Sequence, residues 1–188
     1  MFDISSYLKT NLLAIIALLI SLSSLAISLR NLWKERINLK ISNDPSESFC
    51  FGFIYYDKYK LLFTKLDIIN LSKTDTSINR IILIDNGKEI DASPYNIGDT
   101  HNENGITLYN TENPSRGVIY NLKSENLLNN LRISSNGHIS GYVTFFDVNL
   151  ISSEKEYTLI VKTPNKDFST KIKCSPLPGN LKPKHEYS

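Results

Sequence analysis

The residues best suited to chemistry are few and dispersed. His101, His138 and His185 are the only histidines, and none lies at metal-ligand spacing from another histidine or from Cys50 or Cys174. His101-Asn102-Glu103 has the HxE form of a zinc deaminase site, but no PCxxC follows to complete the ligand set. The sequence has no GxGxxG, no P-loop and no GxSxG elbow. Asp85-Asn86-Gly87 begins like a calcium loop, yet the acidic spacing after it is wrong and a hairpin turn accounts for it. Asp75 and Asp85 read as solvated turn carboxylates rather than a catalytic pair. No catalytic, cofactor-binding or metal constellation emerges. The expectation is a protein that is not an enzyme and carries no cofactor.

What remains is the stretch 92–116, rich in Asn, Gly, Pro, Ser and Thr. Loops on rigid β-scaffolds often carry binding, and loops beyond about 12 residues are uncommon without a use. Tyr95, His101, Tyr109 and Arg116 would give it stacking and anion-contacting groups, making it a candidate ligand loop. The plainer alternative is a polar surface insertion.

Such a loop needs a framework, and the flanking sequence supplies one with a period of two. Ile37, Leu39 and Ile41 alternate with polar residues, then Phe49, Phe51, Phe53 and Tyr55 do the same. Leu62, Thr64, Leu66 and Ile68 share one face of a longer run, and 77–85 is β-branched. That run ends in Asp-Asn-Gly-Lys, where Asn-Gly supplies the positive φ values of a tight hairpin. Strands are predicted again at 106–109, 117–122, 131–134 and 139–148, with a helical turn within 124–130. A final hairpin pairs Tyr157, Leu159 and Val161 with Phe168, Thr170, Ile172 and Cys174 across a turn at 163–167. Many short strands with turns between them define an all-β domain over 37–174, an immunoglobulin-like β-sandwich as first choice and a small β-barrel as alternative. Cys50 and Cys174 fall on apolar faces and are expected as free core thiols. Beyond Cys174, Pro176, Pro178 and Pro183 interrupt any pattern, and 175–188 is expected to be a disordered tail.

The N-terminal region is of another kind. Residues 10–29 carry no charge and no Gly or Pro, and a helix of that length spans roughly the 30 Å hydrocarbon core of a bilayer. A cleavable signal peptide would have a shorter apolar run, and the strongly basic sequence that follows here speaks for an uncleaved anchor. Residues 1–9 form a short tail and 30–36 a basic connector. Arg30, Trp33, Lys34, Arg36 and Lys40 make a membrane-interface set, offset only by Glu35. The positive-inside rule then puts the domain in the cytoplasm and the N-terminus outside, in the inner (plasma) membrane. An extracytoplasmic domain is the less favoured alternative. Within the span, Ala14, Ala17, Ser21, Ser24 and Ser28 recur at spacings of three and four, a small-residue stripe that suits close helix approach. With 188 residues, 41% apolar and a net charge of +2, the chain is neither disordered nor built to bind nucleic acid through bulk charge.

This layout, one span with a basic exit and then a cytosolic β-domain, resembles small anchored proteins of bacteria and prophages. It is also broadly similar to the membrane-plus-β effectors of antiphage nucleotide signalling. That resemblance implies a β-domain that senses a cyclic nucleotide and membrane helices that oligomerise to damage the bilayer. It lies in architecture and size, no binding residue is carried over, and those effectors more often have two or more spans. The abundance of Ile, Asn and Lys fits a low-GC bacterial genome. The leading expectation is a membrane-tethered binding module that forms a homo-oligomer through its helix. Its partners would be the lipid bilayer and an unidentified protein or small-molecule ligand. A ligand-triggered membrane effector is the alternative.

Overall fold

The computed structural model describes residues 11–53, 56–97, 103–113 and 115–183. The chain divides between Arg36 and Ile37 into two compact units. The first is the helix α1 (Leu12–Glu35), which ends where Arg36 turns to extended backbone at φ −61° and ψ 127°. Its unbroken run of Leu, Ile, Ala and Ser, without Gly or Pro, suits a continuous helix. The Ser23 hydroxyl donates to the Leu19 carbonyl at 2.8 Å, so that polar group is satisfied within the helix. Leu12–Leu32 is long and apolar enough to cross a membrane, and none of it is buried within the protein.

The second unit is all-β. Its strands are β1 (Leu39–Phe53), β2 (Tyr56–Asn70), β3 (Thr76–Ser77), β4 (Arg80–Asp85), β5 (Lys88–Asp91), β6 (Ile106–Asn110), β7 (Gly117–Tyr120), β8 (Arg132–Ile133), β9 (His138–Phe146), β10 (Lys155–Lys162), β11 (Asp167–Pro176) and β12 (Leu181–Pro183). One 3-10 turn, Leu127–Asn129, starts where the Asn126 side chain accepts from the Leu128 N–H. Seven strands form one sheet in the order β5-β4-β10-β11-β1-β2-β9. Its neighbours are antiparallel except β1 and β11, which run parallel with Phe49 opposite Ser175. The sheet curls until its ends meet: just past β5, the Ser93 N–H donates to Thr144 O of β9 at 2.9 Å, and the Thr144 hydroxyl donates back to Ser93 O.

The hairpins follow the local chemistry. Asn86 and Gly87 take φ of 50° and 84° between β4 and β5, as the Asn-Gly pair requires. Between β10 and β11 the Thr163 hydroxyl donates to Lys166 O and accepts the Lys166 N–H, closing the turn.

The curled sheet has apolar residues on both faces over β1, β2 and β9. On the concave side Leu62, Leu66 and Ile68 of β2 join Val143 and Phe145 of β9, Tyr157, Leu159 and Val161 of β10, and Ile172 and Cys174 of β11. On the other side Phe49, Phe51 and Phe53 of β1, Leu61 and Phe63 of β2 and Tyr142 of β9 form a second, aromatic core. A three-stranded sheet ordered β12-β6-β7 contributes Ile106, Leu108 and Tyr120 to that core. Phe63 lies at its centre, with ring centroids 5.0 Å from Tyr120, 5.8 Å from Phe49 and 6.0 Å from Tyr142. Gly105, just before β6, lets that strand's start lie against the end of β7: a Cβ there would clash with the Tyr120 carbonyl oxygen.

The all-β body with one N-terminal apolar helix matches the expected class. Two expectations meet differences. β12 pairs with β6, Leu181 opposite Asn110, inside the stretch 175–188 expected to be a disordered tail. Three residues ending in Pro carry no readable period, and their pairing depends on a strand more than 70 positions earlier. Asp85 is not a solvated turn residue but is 1% exposed.

Candidate functional site

The structure separates the three described residues of the candidate ligand loop, Tyr95, Tyr109 and Arg116. Tyr95 is 4% exposed and belongs to the aromatic core beneath β6. Tyr109 is half-buried on β6. It alternates with Leu108, which faces that core, so Tyr109 and Tyr95 lie on opposite sides of the small sheet. Arg116 is exposed at the turn into β7; its N–H donates to Asn113 O, and its carbonyl accepts from the Asn110 N–H. His101 lies outside the described residues. The stretch 92–116 is therefore partly scaffold. Its first segment carries the Ser93 bridge and a core tyrosine, and its middle is a paired strand.

The residues assigned to the membrane segment lie on α1 and just beyond it. Ala14, Ala17, Ser21, Ser24 and Ser28 are all exposed on α1, and successive steps of three and four keep them on one stripe. The large side chains from Leu12 to Leu32, Leu13 at 83% and Ile20 at 62% among them, are exposed as well, apart from the half-buried Ile15. Arg30 is exposed near the end of the helix, Arg36 just beyond it, and Lys40 on β1. Trp33 and Lys34 lie on α1, their side chains outside the described residues.

Sequence reasoning did not find two polar clusters in the β-unit. In the first, Asp85 Oδ1 meets Lys155 Nζ at 2.6 Å, and Asp85 Oδ2 accepts from the Asn149 N–H at 3.1 Å and its Nδ2 at 2.9 Å. Lys155 also stands 4.6 Å over the Tyr157 ring. Burial would raise the Asp85 carboxyl, but the bonds from Lys155 and Asn149 outweigh it, and the net effect lies below the ordinary value. In the second, Tyr142 donates to Glu47 Oε2 at 2.5 Å while Lys65 Nζ lies 2.9 Å from the same oxygen. Burial, then the Glu47 bond, pushes the Tyr142 phenol upward. Glu47 stands in the register break between Asp44 and Ser48 of β1, so this cluster pins the bulged strand against β2 and β9. No sequence signal marks either cluster, because the partners bonded to each carboxylate lie 18 to 95 positions from it.

Chemically both clusters are closed ion pairs rather than open sites. Cys50 and Cys174 are free and buried, and burial raises their thiols to about 11 and about 12, which keeps them protonated at neutral pH. Among the described residues no group of three or more His, Cys, Asp or Glu could hold a metal ion.

The Asp85 cluster makes a clear expectation for stability. Lys155→Met leaves a buried carboxylate without its cation, at a cost of about 3 kcal/mol. The folded Asp85 pKa lies below its unfolded value of roughly 3.9, so its contribution is complete above that pH and vanishes as pH falls through the folded value. Urea unfolding should therefore separate the variant from the native chain at pH 7 and bring the two together as the pH falls through the folded Asp85 value. Equal stability at pH 7 would contradict the role of the pair.

Comparison with known proteins leaves the chain to be read from its own chemistry: no protein-family model matches it, and no curated protein matches its sequence.

Proposed function

We propose that this protein is a membrane-anchored binding module whose β-unit faces the cytoplasm and whose copies associate through α1. One observation carries this reading. Leu12–Leu32 carries Leu or Ile on every side and has no residue buried within the chain, so it needs lipid or another helix to cover it. The stripe from Ala14 to Ser28 offers backbone-close packing to a second copy, and the basic residues Arg30, Lys34 and Arg36 favour retention on the cytoplasmic side. The β-unit, with its closed ion pairs and protonated thiols, is a scaffold for binding rather than turnover. Its finer architecture is better taken as a small curled barrel than as an immunoglobulin-like sandwich, a preference that rests on the Ser93–Thr144 bridge between the sheet's two ends. The test is energy transfer between fluorescently labelled copies of the full chain in liposomes. Transfer above that of randomly mixed spans supports the module, and its absence refutes association through α1.

A further inference from the structure

We infer that β7 is a second self-association surface, on which two copies of this chain pair edge to edge about a twofold axis at Val118. The inference rests on the reading that α1 holds copies side by side in one membrane. Strand edges are templates for pairing, and folded proteins blunt them with charge, proline, shortness or closure. Among the described residues every other edge here is blunted. β5 and β9 meet through Ser93 and Thr144, and β12 carries Lys182 and Pro183, while β3 and β8 are two residues each. β1 and β11 pair with each other only at Phe49–Cys50 and Ser175–Pro176, and the stretches left open carry Lys40, Asp44 and Pro45 on β1 and Lys171 and Lys173 on β11. β7, Gly-Val-Ile-Tyr, has neither charge nor proline, and Val118 and Ile119 are 44% and 61% exposed.

The hydrogen-bond parity favours pairing. The Asn110 N–H donates to Arg116 O, and β6 and β7 pair as Leu108 with Val118 and Ile106 with Tyr120. The Arg116 carbonyl and residues 118 and 120 thus face β6, with the Arg116 N–H closing the turn onto Asn113 O, while the N–H and C=O of Gly117 and Ile119 point away from it. An antiparallel pair centred on Val118 sets Gly117 opposite Ile119 of the second copy, twice, and satisfies all four of those groups on each strand. The side chains also fit. Each Ile119 lies opposite a glycine, Val118 meets Val118, and Arg116 faces Tyr120 rather than another cation, so no like charges oppose. A four-residue edge buries far less than the roughly 1,200 Å² typical of a stable interface. The pair therefore needs the high local concentration that a shared membrane supplies. That dependence selects a second copy over a soluble partner.

The directly opposed Val118 residues give a disulfide reporter, because antiparallel non-hydrogen-bonded pairs bring Cβ atoms to roughly 4.5–5.5 Å. Cys50 and Cys174 are buried, so a cysteine introduced at the surface is the reactive one. Full-length Val118→Cys in native membranes, oxidised with copper phenanthroline, should form linked dimer at least tenfold faster than Leu150→Cys, whose parent side chain is 52% exposed outside any strand. Adding Ile119→Pro removes an outward N–H without touching the β6 ladder and should abolish the linkage. Linkage no faster than that of Leu150→Cys overturns the edge proposal, as does linkage that survives Ile119→Pro in a variant whose melting is unchanged. Energy transfer between native chains, measured in parallel, reports separately on α1. Transfer without Val118 linkage removes the edge and leaves the helix reading, and absence of both removes the two together.

Discussion

Replacing Phe63 by Ala is expected to remove about 3–5 kcal/mol from the stability of the β-unit. Phe63 is fully buried, and its ring is the common neighbour of Phe49, Phe51, Tyr120 and Tyr142. Their mutual edge-to-face and tilted arrangements each contribute beyond simple area burial. The site is poorly able to collapse, because β1 and β2 are held on their other face by a separate core and Gly105 already lies against the Tyr120 backbone. A cavity there therefore stays open and carries its full cost. Against a total of about 5–15 kcal/mol for a domain, this is about a fifth or more of what holds the fold. Urea unfolding of the full chain in micelles, followed by the far-ultraviolet dichroism of the strands, measures it. A loss below about 1 kcal/mol would mean that the aromatic layer is not a second core.

The other large effect is expected in the membrane. Ala14, Ala17, Ser21, Ser24 and Ser28 replaced together by Leu should reduce energy transfer between copies to the level of random mixing, while the variant still inserts. Leucine keeps the segment apolar, so the hydrophobic drive for insertion is kept or increased. Five branched side chains on the stripe hold a second helix away from the backbone and remove the hydroxyls that bond across the contact. Ser23→Leu is the matched control. Ser23 lies roughly 130° around the helix from the stripe at 100° per residue, and its hydroxyl is already bonded to Leu19 O. It should leave transfer unchanged. Equal loss from Ser23→Leu would show that any added bulk disturbs the helix and that the stripe has no special place.

Much of this fold was legible because its signals are local. The alternation of Phe49, Phe51 and Phe53 and of Leu62, Leu66 and Ile68 needs no knowledge of the partner strand, and Asn86-Gly87 determines its hairpin from two residues. The apolar helix is likewise written in length and charge exclusion. What was hidden depends on distant sequence. Alternation says that one face of β1 is apolar, but not that a small sheet drawn from 106–110, 117–120 and 181–183 covers it. That covering sheet turns Tyr95 from a loop residue into a core residue and makes a strand of a proline-containing tail. Asp85 looked solvated because an aspartate before Asn-Gly usually is. Its partners, Asn149 and Lys155, lie 64 and 70 positions away. The candidate loop failed to converge for the same reason: shared polarity along the chain carries no information about which side of β6 each residue occupies.

The measurement that bears most directly on the whole reading is the sidedness of the β-unit in membranes that survive alkaline extraction. The native thiols are buried, so Leu150→Cys places one reactive thiol on the surface of the folded unit. With the protein retained in the alkaline pellet, a membrane-impermeant maleimide should leave Leu150→Cys unlabelled in intact cells and label it fully once the membrane is opened. Release of the chain by alkaline carbonate would contradict the anchor, and labelling in intact cells would place the β-unit on the outer side, against the charge pattern of Arg30, Lys34 and Arg36.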